Sequence, residues 1–237
     1  MPLVGDIAAR LDAVRRRLDA AAHRASRNPS DITLVAISKT FGPEMIRAAA
    51  AAGQLSFGEN RVQEALAKQE ALADLPLDWH LVGHLQSNKA RKAAAAFSLI
   101  HSVDRQELVA RLDAAAAAAG TRPRILLQVD LAGEATKAGV SEADLPRLVD
   151  AALDAAHLEL AGLMIIPPIP DTPEDSRVWF RRLRDVRDRL VDQGVPASSL
   201  RELSMGMSGD FEVAVEEGAT IVRVGSAIFG ARPPLHG

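Results

Sequence analysis

Eight short apolar runs alternate with helix-patterned segments along almost the whole chain, and no other feature restricts its fold as much. The runs lie near residues 32–38, 55–58, 78–82, 98–101, 124–130, 158–164, 201–204 and 220–224. They are apolar without clean alternation, the pattern of strands buried on both faces of a parallel sheet. Helical patterns between them cover roughly 43–52, 60–73, 88–96, 105–119, 141–155, 173–193 and 208–217. Pro43 suits a first helical turn, as do Ser141 with Glu142 and Asp144, and Ser208 with Asp210 and Glu212. The alanine run from Ala114 to Ala119 reflects helix propensity. Ahead of the first run, Ile7, Leu11, Val14 and Leu18 recur at helical spacing, so residues 4–26 read as an amphipathic helix. Arg15, Arg16 and Arg17 then form that helix's solvated face rather than a nucleic-acid patch.

This order, with no internal polar linker, predicts a single α/β domain over residues 1–237. Its expected architecture is a (β/α)8 TIM-type barrel with an additional N-terminal helix. An open doubly wound sheet is the alternative. It would leave two edges, and no run carries the charges or prolines that protect an edge strand. Only seven residues follow Gly230, so no second domain is expected.

Composition removes several classes of function. The net charge is −3, which argues against a general binder of nucleic acid or membrane surfaces. No apolar stretch approaches the length of a membrane span. Cysteine is absent, so disulfides, thiol nucleophiles and cysteine metal sites are excluded. The N-terminus has no apolar secretory core, and its arginines are interleaved with Asp6, Asp12 and Asp19, unlike a transit peptide. A cytoplasmic protein is expected, acting as a monomer.

Candidate chemistry gathers where the runs end. Lys39 closes the run Ile32–Ser38, and α/β folds place ligand chemistry at the carboxyl ends of their strands. Partial desolvation there favours a neutral amine, which condenses with an aldehyde; a solubilising strand-end lysine is the bland alternative. Lys137, in the segment Gly133–Gly139, is its competitor, in a loop expected to be more exposed. The last run passes through Arg223 into Gly225 and Ser226, and the preceding one ends in Leu203-Ser204-Met205-Gly206-Met207-Ser208-Gly209. Small-residue loops after the last two barrel strands frequently hold phosphate. Two tight turns, with Ser208 as a helix cap, are the alternative. Arg223 and Gly225 share a strand face, and the buried guanidinium needs either a ligand heteroatom or a carboxylate from another strand. His80 and His84 have the spacing of helical zinc ligands, but Gly83 and the strand pattern oppose a helix, so no metal site is expected.

At these residues the chain resembles the pyridoxal-phosphate homeostasis proteins, whose barrel is similar to the N-terminal domain of alanine racemases. The matching segments are Val35–Thr40, Phe57–Asn60, Trp79-His80, Gly83–Lys89, Leu163-Met164, Ser204–Ser208, Arg223–Ser226 and Ile228–Gly230. Leu81 departs, standing where many relatives have phenylalanine or methionine. The resemblance implies that Lys39 forms the internal aldimine with pyridoxal 5'-phosphate (PLP). It also implies that Ser204, Gly225 and Ser226 bind the phosphate, that Arg223 faces the pyridine nitrogen, and that Asn60 and His80 line the ring pocket.

Arginine does not give up its proton, so at the pyridine nitrogen it weakens the cofactor as an electron sink. Related racemases, by the same resemblance, add a tyrosine base from a further C-terminal domain, and related decarboxylases add a cysteine. This sequence has neither residue. The expectation is a non-catalytic PLP holder in PLP homeostasis, which buffers or delivers the cofactor to apo PLP-dependent enzymes. A racemase-like PLP enzyme of low activity is the alternative, followed by a class I aldolase-like barrel acting on a phosphorylated keto substrate.

Overall fold

A computed structural model of the chain describes residues 6–133 and 138–231. Strands β1 (Thr33–Ile37), β2 (Ser56–Glu59), β3 (Asp78–Leu81), β4 (Leu99–Val103) and β5 (Arg124–Asp130) occupy the first half. They are followed by β6 (Val140–Ser141), β7 (Glu159–Met164), β8 (Glu202–Ser204) and β9 (Ile221–Val224). All pairings are parallel, in the order β4-β3-β2-β1-β9-β8-β7-β5, and pairing of β4 with β5 closes the ring. Eight strands therefore make the barrel, and closure removes both edges. The two-residue β6 was not legible from the sequence; it adds to β5 outside the ring, pairing Val129 with Val140 and Asp130 with Ser141.

The helices are α1 (Asp6–Arg24), α2 (Pro43–Ala51), α3 (Val62–Ala71), α4 (Ala90–Ala96) and α5 (Gln106–Ala119), then α6 (Leu145–Leu153), α7 (Arg177–Asp192), α8 (Phe211–Glu216) and α9 (Ser226–Phe229). Of the three first turns expected at Pro43, Ser141 and Ser208, the last two fall later. Ser141 belongs to β6; its hydroxyl accepts the Asp144 N–H at 3.1 Å, and α6 begins beyond it with Pro146 in its first turn. Ser208 does not cap α8, which begins at Phe211.

Helix α1 buries Ile7, Leu11, Val14 and Leu18 and packs on α2, α8 and α9. Its arginines are not merely a solvated face. Arg15 donates to the Ala52 carbonyl at 2.8 Å, and Arg17 pairs with Glu212 at 2.8 Å while lying over the Phe211 ring. Arg16 and Arg17 stay exposed as expected, and Arg15 is half-buried.

Alternation along the strands divides the core. Val222 and Val224 face the helices, whereas Ile221 joins Val35, Ile37, Leu126 and Met164 inside the barrel. Arg223 is inside by the same alternation, as are His80, His101 and Ser204, so part of the barrel interior is polar. Gly162 of β7 is required by close approach, since a Cβ there would overlap the backbone of Glu202 in β8. Gly162→Ala is expected to destabilise the fold by about 2 kcal/mol or more, measured by urea unfolding.

Candidate functional site

The carboxyl ends of the strands surround a cavity of about 280 Å³, lined by Ile37, Lys39, Phe41, Asn60, Val82, Ile166, Met207, Ser208, Gly209, Arg223, Gly225, Ser226 and Gly230. Five of the seven residues expected at the site line it: Lys39, Asn60, Arg223, Gly225 and Ser226. Ser204 and His80 do not. Both are buried inside the barrel, where each is occupied by other side chains. Ser208, expected as a helix cap, is instead a wall of the cavity. Lys137 lies outside the described residues.

The backbone around Lys39 is held on both sides by an ionic cluster of buried Glu59 and Lys68 with half-buried Glu64. Lys68 of α3 donates to the Ser38 carbonyl at 2.9 Å, to Glu59 Oε1 at 2.7 Å and to Glu64 Oε1 at 2.7 Å. The Ser38 hydroxyl donates to Glu59 at 2.6 Å, and the Thr40 N–H donates to Glu64 at 2.8 Å. Lys39 is therefore fixed between two tethered neighbours. Thr40 has φ 70°, a left-handed conformation costly for a β-branched residue, and its bond to Glu64 holds it there. Burial pushes the Glu59 carboxyl above its ordinary range, although bonds from Lys68 and Ser38 pull the other way. Burial also opposes charge on Glu64, but bonds from Lys68 and Thr40 outweigh it and hold that carboxyl low. None of this cluster was identified from the sequence, because its three charged side chains come from a strand and a helix with no motif joining them.

The opposite wall offers hydrogen-bond donors. The N–H groups of Gly225 and Ala227 converge on the Ser208 hydroxyl at 3.1 and 3.4 Å. Oriented N–H groups beside a hydroxyl suit an anion such as phosphate. A Cβ on Gly225 would press on the Ile37 carbonyl at 3.3 Å, so glycine keeps the backbone of this turn close against β1.

Arg223 forms part of the cavity floor. Its guanidinium is buried, donating to Ser204 Oγ at 2.6 Å and to the Ile165 carbonyl at 2.8 Å. No carboxylate is paired with it among the described residues, so the expected alternative of a cross-strand ion pair is not what the fold provides. Burial lowers its pKa to about 10, with Asp210 opposing the shift; the side chain stays cationic at neutral pH. Ser204 also meets His101 Nδ1 at 2.8 Å, His101 Nε2 meets His80 Nδ1 at 3.1 Å, and His80 Nε2 meets Asp78 Oδ2 at 2.8 Å. His84 is half-exposed near Asp104 at 3.6 Å, so the two histidines do not converge on a metal position.

Burial above all holds His101 neutral, well below its ordinary pKa of 6.5, and the Arg223 and Arg124 cations add to it. The unfolded chain takes up this proton near pH 6.5 and the folded chain does not. Stability is therefore expected to fall as pH drops below that value, by up to about 1.4 kcal/mol per pH unit. Urea unfolding at about pH 7 and about pH 5 checks this, with wild type losing more than His101→Gln.

The sequence matches the family described as alanine racemase, N-terminal domain, over residues 9–233. A pyridoxal phosphate homeostasis protein of Aquifex aeolicus is 45% identical over 223 residues, covering 94% of this chain and 97% of that one. The structure of PipY from Synechococcus elongatus without PLP superposes with a TM-score of 0.85 at 45% identity, covering 94% of this chain and 100% of that chain. PipY with PLP bound gives a TM-score of 0.81 at 44% identity over the same shares. On both sequence and fold, the chain belongs to the pyridoxal phosphate homeostasis protein family.

Proposed function

We propose that this chain binds PLP in the cavity at the carboxyl ends of its strands and holds it reversibly on Lys39, so that the cofactor is buffered or delivered rather than used for turnover. The observation that carries this reading is one cavity bringing together an amine, a buried guanidinium with no carboxylate partner among the described residues, and convergent N–H groups. Each matches one chemical feature of PLP. Lys39 meets the aldehyde, Arg223 the pyridine nitrogen, and the N–H groups near Ser208, Gly225 and Ser226 the phosphate, with Asn60 beside the ring. The structure of PipY with PLP bound supports the same ligand. When bound, PLP supplies an aldehyde that condenses with a primary amine. Lys39 supplies that amine, and Arg223 keeps a donor rather than an acceptor at the ring nitrogen.

Among the described residues lining the cavity, Lys39 is the only amine, imidazole or carboxylate. The whole sequence contains no tyrosine or cysteine. A two-base exchange at a substrate carbon therefore has only one candidate base at this site. The family description favours a second reading, a racemase-like PLP enzyme of low activity. Titration of apo protein with PLP, followed by amino-acid turnover assays, separates the two. The holding role predicts a visible absorbance band and turnover no faster than a Lys39→Ala control. Substantially faster racemisation than that control would establish the enzyme instead. Delivery is tested by transfer to an apo-enzyme in the presence of a trap for free PLP, which should suppress transfer from free cofactor more than from loaded protein.

A further inference from the structure

The polar interior of the barrel forms one continuous path between its two ends. Asp78 opens β3 at the amino-end face, and its side chain is 47% exposed. The path then runs through His80, His101 and Ser204, all buried, to Arg223 on the floor of the cavity. Its four links measure 2.8, 3.1, 2.8 and 2.6 Å.

With both rings neutral, the fixed hydrogen-bonding roles of its two ends assign every proton between them. Asp78 is held below the usual carboxylate range, first by His80, against burial, and then by Ser98 and Arg124. An ionised carboxylate only accepts, so His80 Nε2 carries a hydrogen. In a neutral ring His80 Nδ1 is then an acceptor, which requires His101 Nε2 to donate. His101 is neutral, so its Nδ1 accepts, and the donor facing it is the Ser204 hydroxyl. That leaves the Ser204 oxygen to accept from Arg223, which can only donate. Each group in the path then satisfies its neighbour, and donors aligned in one direction strengthen one another. A proton added to His80 Nδ1 would make that nitrogen a donor and force His101 into its Nδ1–H tautomer. Ser204 would then receive two N–H groups, with no third side-chain partner among the described residues for its own hydrogen.

We propose that Asp78 is a positioning residue for Arg223, acting through His80, His101 and Ser204 as a one-way hydrogen-bond chain. The chain gives the buried guanidinium an electron-rich oxygen in place of the missing carboxylate and fixes which of its N–H groups remain for the cavity. The charged groups around the amino end belong to the same arrangement: Arg124 of β5 pairs with Glu202 at 2.7 Å and lies 3.8 Å from Glu159. Asp210 acts on Arg223 from the other end. The consequence for the cofactor rests on the PLP reading above, whereas the proton assignment does not.

The test is a side-chain nitrogen NMR spectrum of the ¹⁵N-labelled apo chain at neutral pH, with His23, His84, His157 and His236 replaced by glutamine to leave the buried pair. Both rings are expected as neutral Nε2–H tautomers. A His101 Nδ1–H tautomer, or an imidazolium at His80, would overturn the proposal. Asp78→Asn, whose amide can accept or donate, removes the fixed end. It should shift the His101 resonances, move the absorbance maximum of the PLP-loaded chain and weaken PLP binding about fivefold. Unchanged His101 resonances and unchanged PLP affinity in Asp78→Asn would also overturn it. Failure of PLP to bind wild type would reject the PLP reading and leave the tautomer result standing. If Asp78→Asn does not fold, the wild-type spectrum alone decides.

Discussion

Lys39→Ala is expected to abolish the visible PLP band and to weaken PLP binding about 100-fold, roughly 2.7 kcal/mol. The phosphate and ring contacts proposed for Ser208, Gly225, Ser226 and Arg223 are untouched by this change, so residual non-covalent binding should survive. Equilibrium dialysis measures that remainder without relying on the lost chromophore. Lys39 is half-buried at a strand end, and removing its side chain leaves Lys68, Glu59 and Glu64 in place. Affinity close to wild type in Lys39→Ala would show that the cavity holds its ligand by other contacts.

Lys68→Met is expected to produce the largest loss of stability of any change near the site, about 3–5 kcal/mol at neutral pH. It leaves Glu59, with no exposed surface, as a buried carboxylate without its cation. One carboxylate oxygen, Glu59 Oε2, has no hydrogen-bond partner among the described residues, so the variant has little with which to compensate. The sign of the pH dependence follows from the raised Glu59 pKa. Such a group contributes stability below its unfolded pKa and loses it as pH rises through its folded value. The deficit of Lys68→Met should therefore shrink as pH falls and the Glu59 carboxyl takes up its proton. Urea unfolding at about pH 5 and about pH 8 reads this directly. A deficit under about 1 kcal/mol at both would show that the cluster does not clamp Ser38 and Thr40. Because the same cluster fixes the backbone around Lys39, the variant should also bind PLP more weakly.

Much of the barrel was legible because its signals are local. Apolar runs such as Leu34–Ile37 and Ile221–Val224 leave few alternatives to a buried parallel strand, and strand closure follows from the absence of a protected edge. The helix starts at Leu145 and Phe211 were not legible, because Ser141 and Ser208 have the chemistry of caps but spend their oxygens elsewhere. Ser141 turns back on Asp144 beside β6, and Ser208 accepts N–H groups from the segment after β9, across 17 residues. Alternation placed Arg223 and Gly225 together correctly. It could not say that Ser204, the last residue of β8, and His80, one residue before the end of β3, point into the barrel beneath the cavity. Their partners, His101 and Asp78, carry no motif. The clamp of Glu59, Glu64 and Lys68 was missed for the same reason: its bonds depend on how α3 lies against β1 and β2.

Borohydride reduction of the PLP-loaded chain, followed by peptide mapping, decides the claim that the cavity holds PLP through Lys39. The prediction is loss of the visible band and stoichiometric labelling of Lys39, with no such label in Lys39→Ala. Labelling on Lys137 alone, or no stable adduct at any lysine, would contradict the claim.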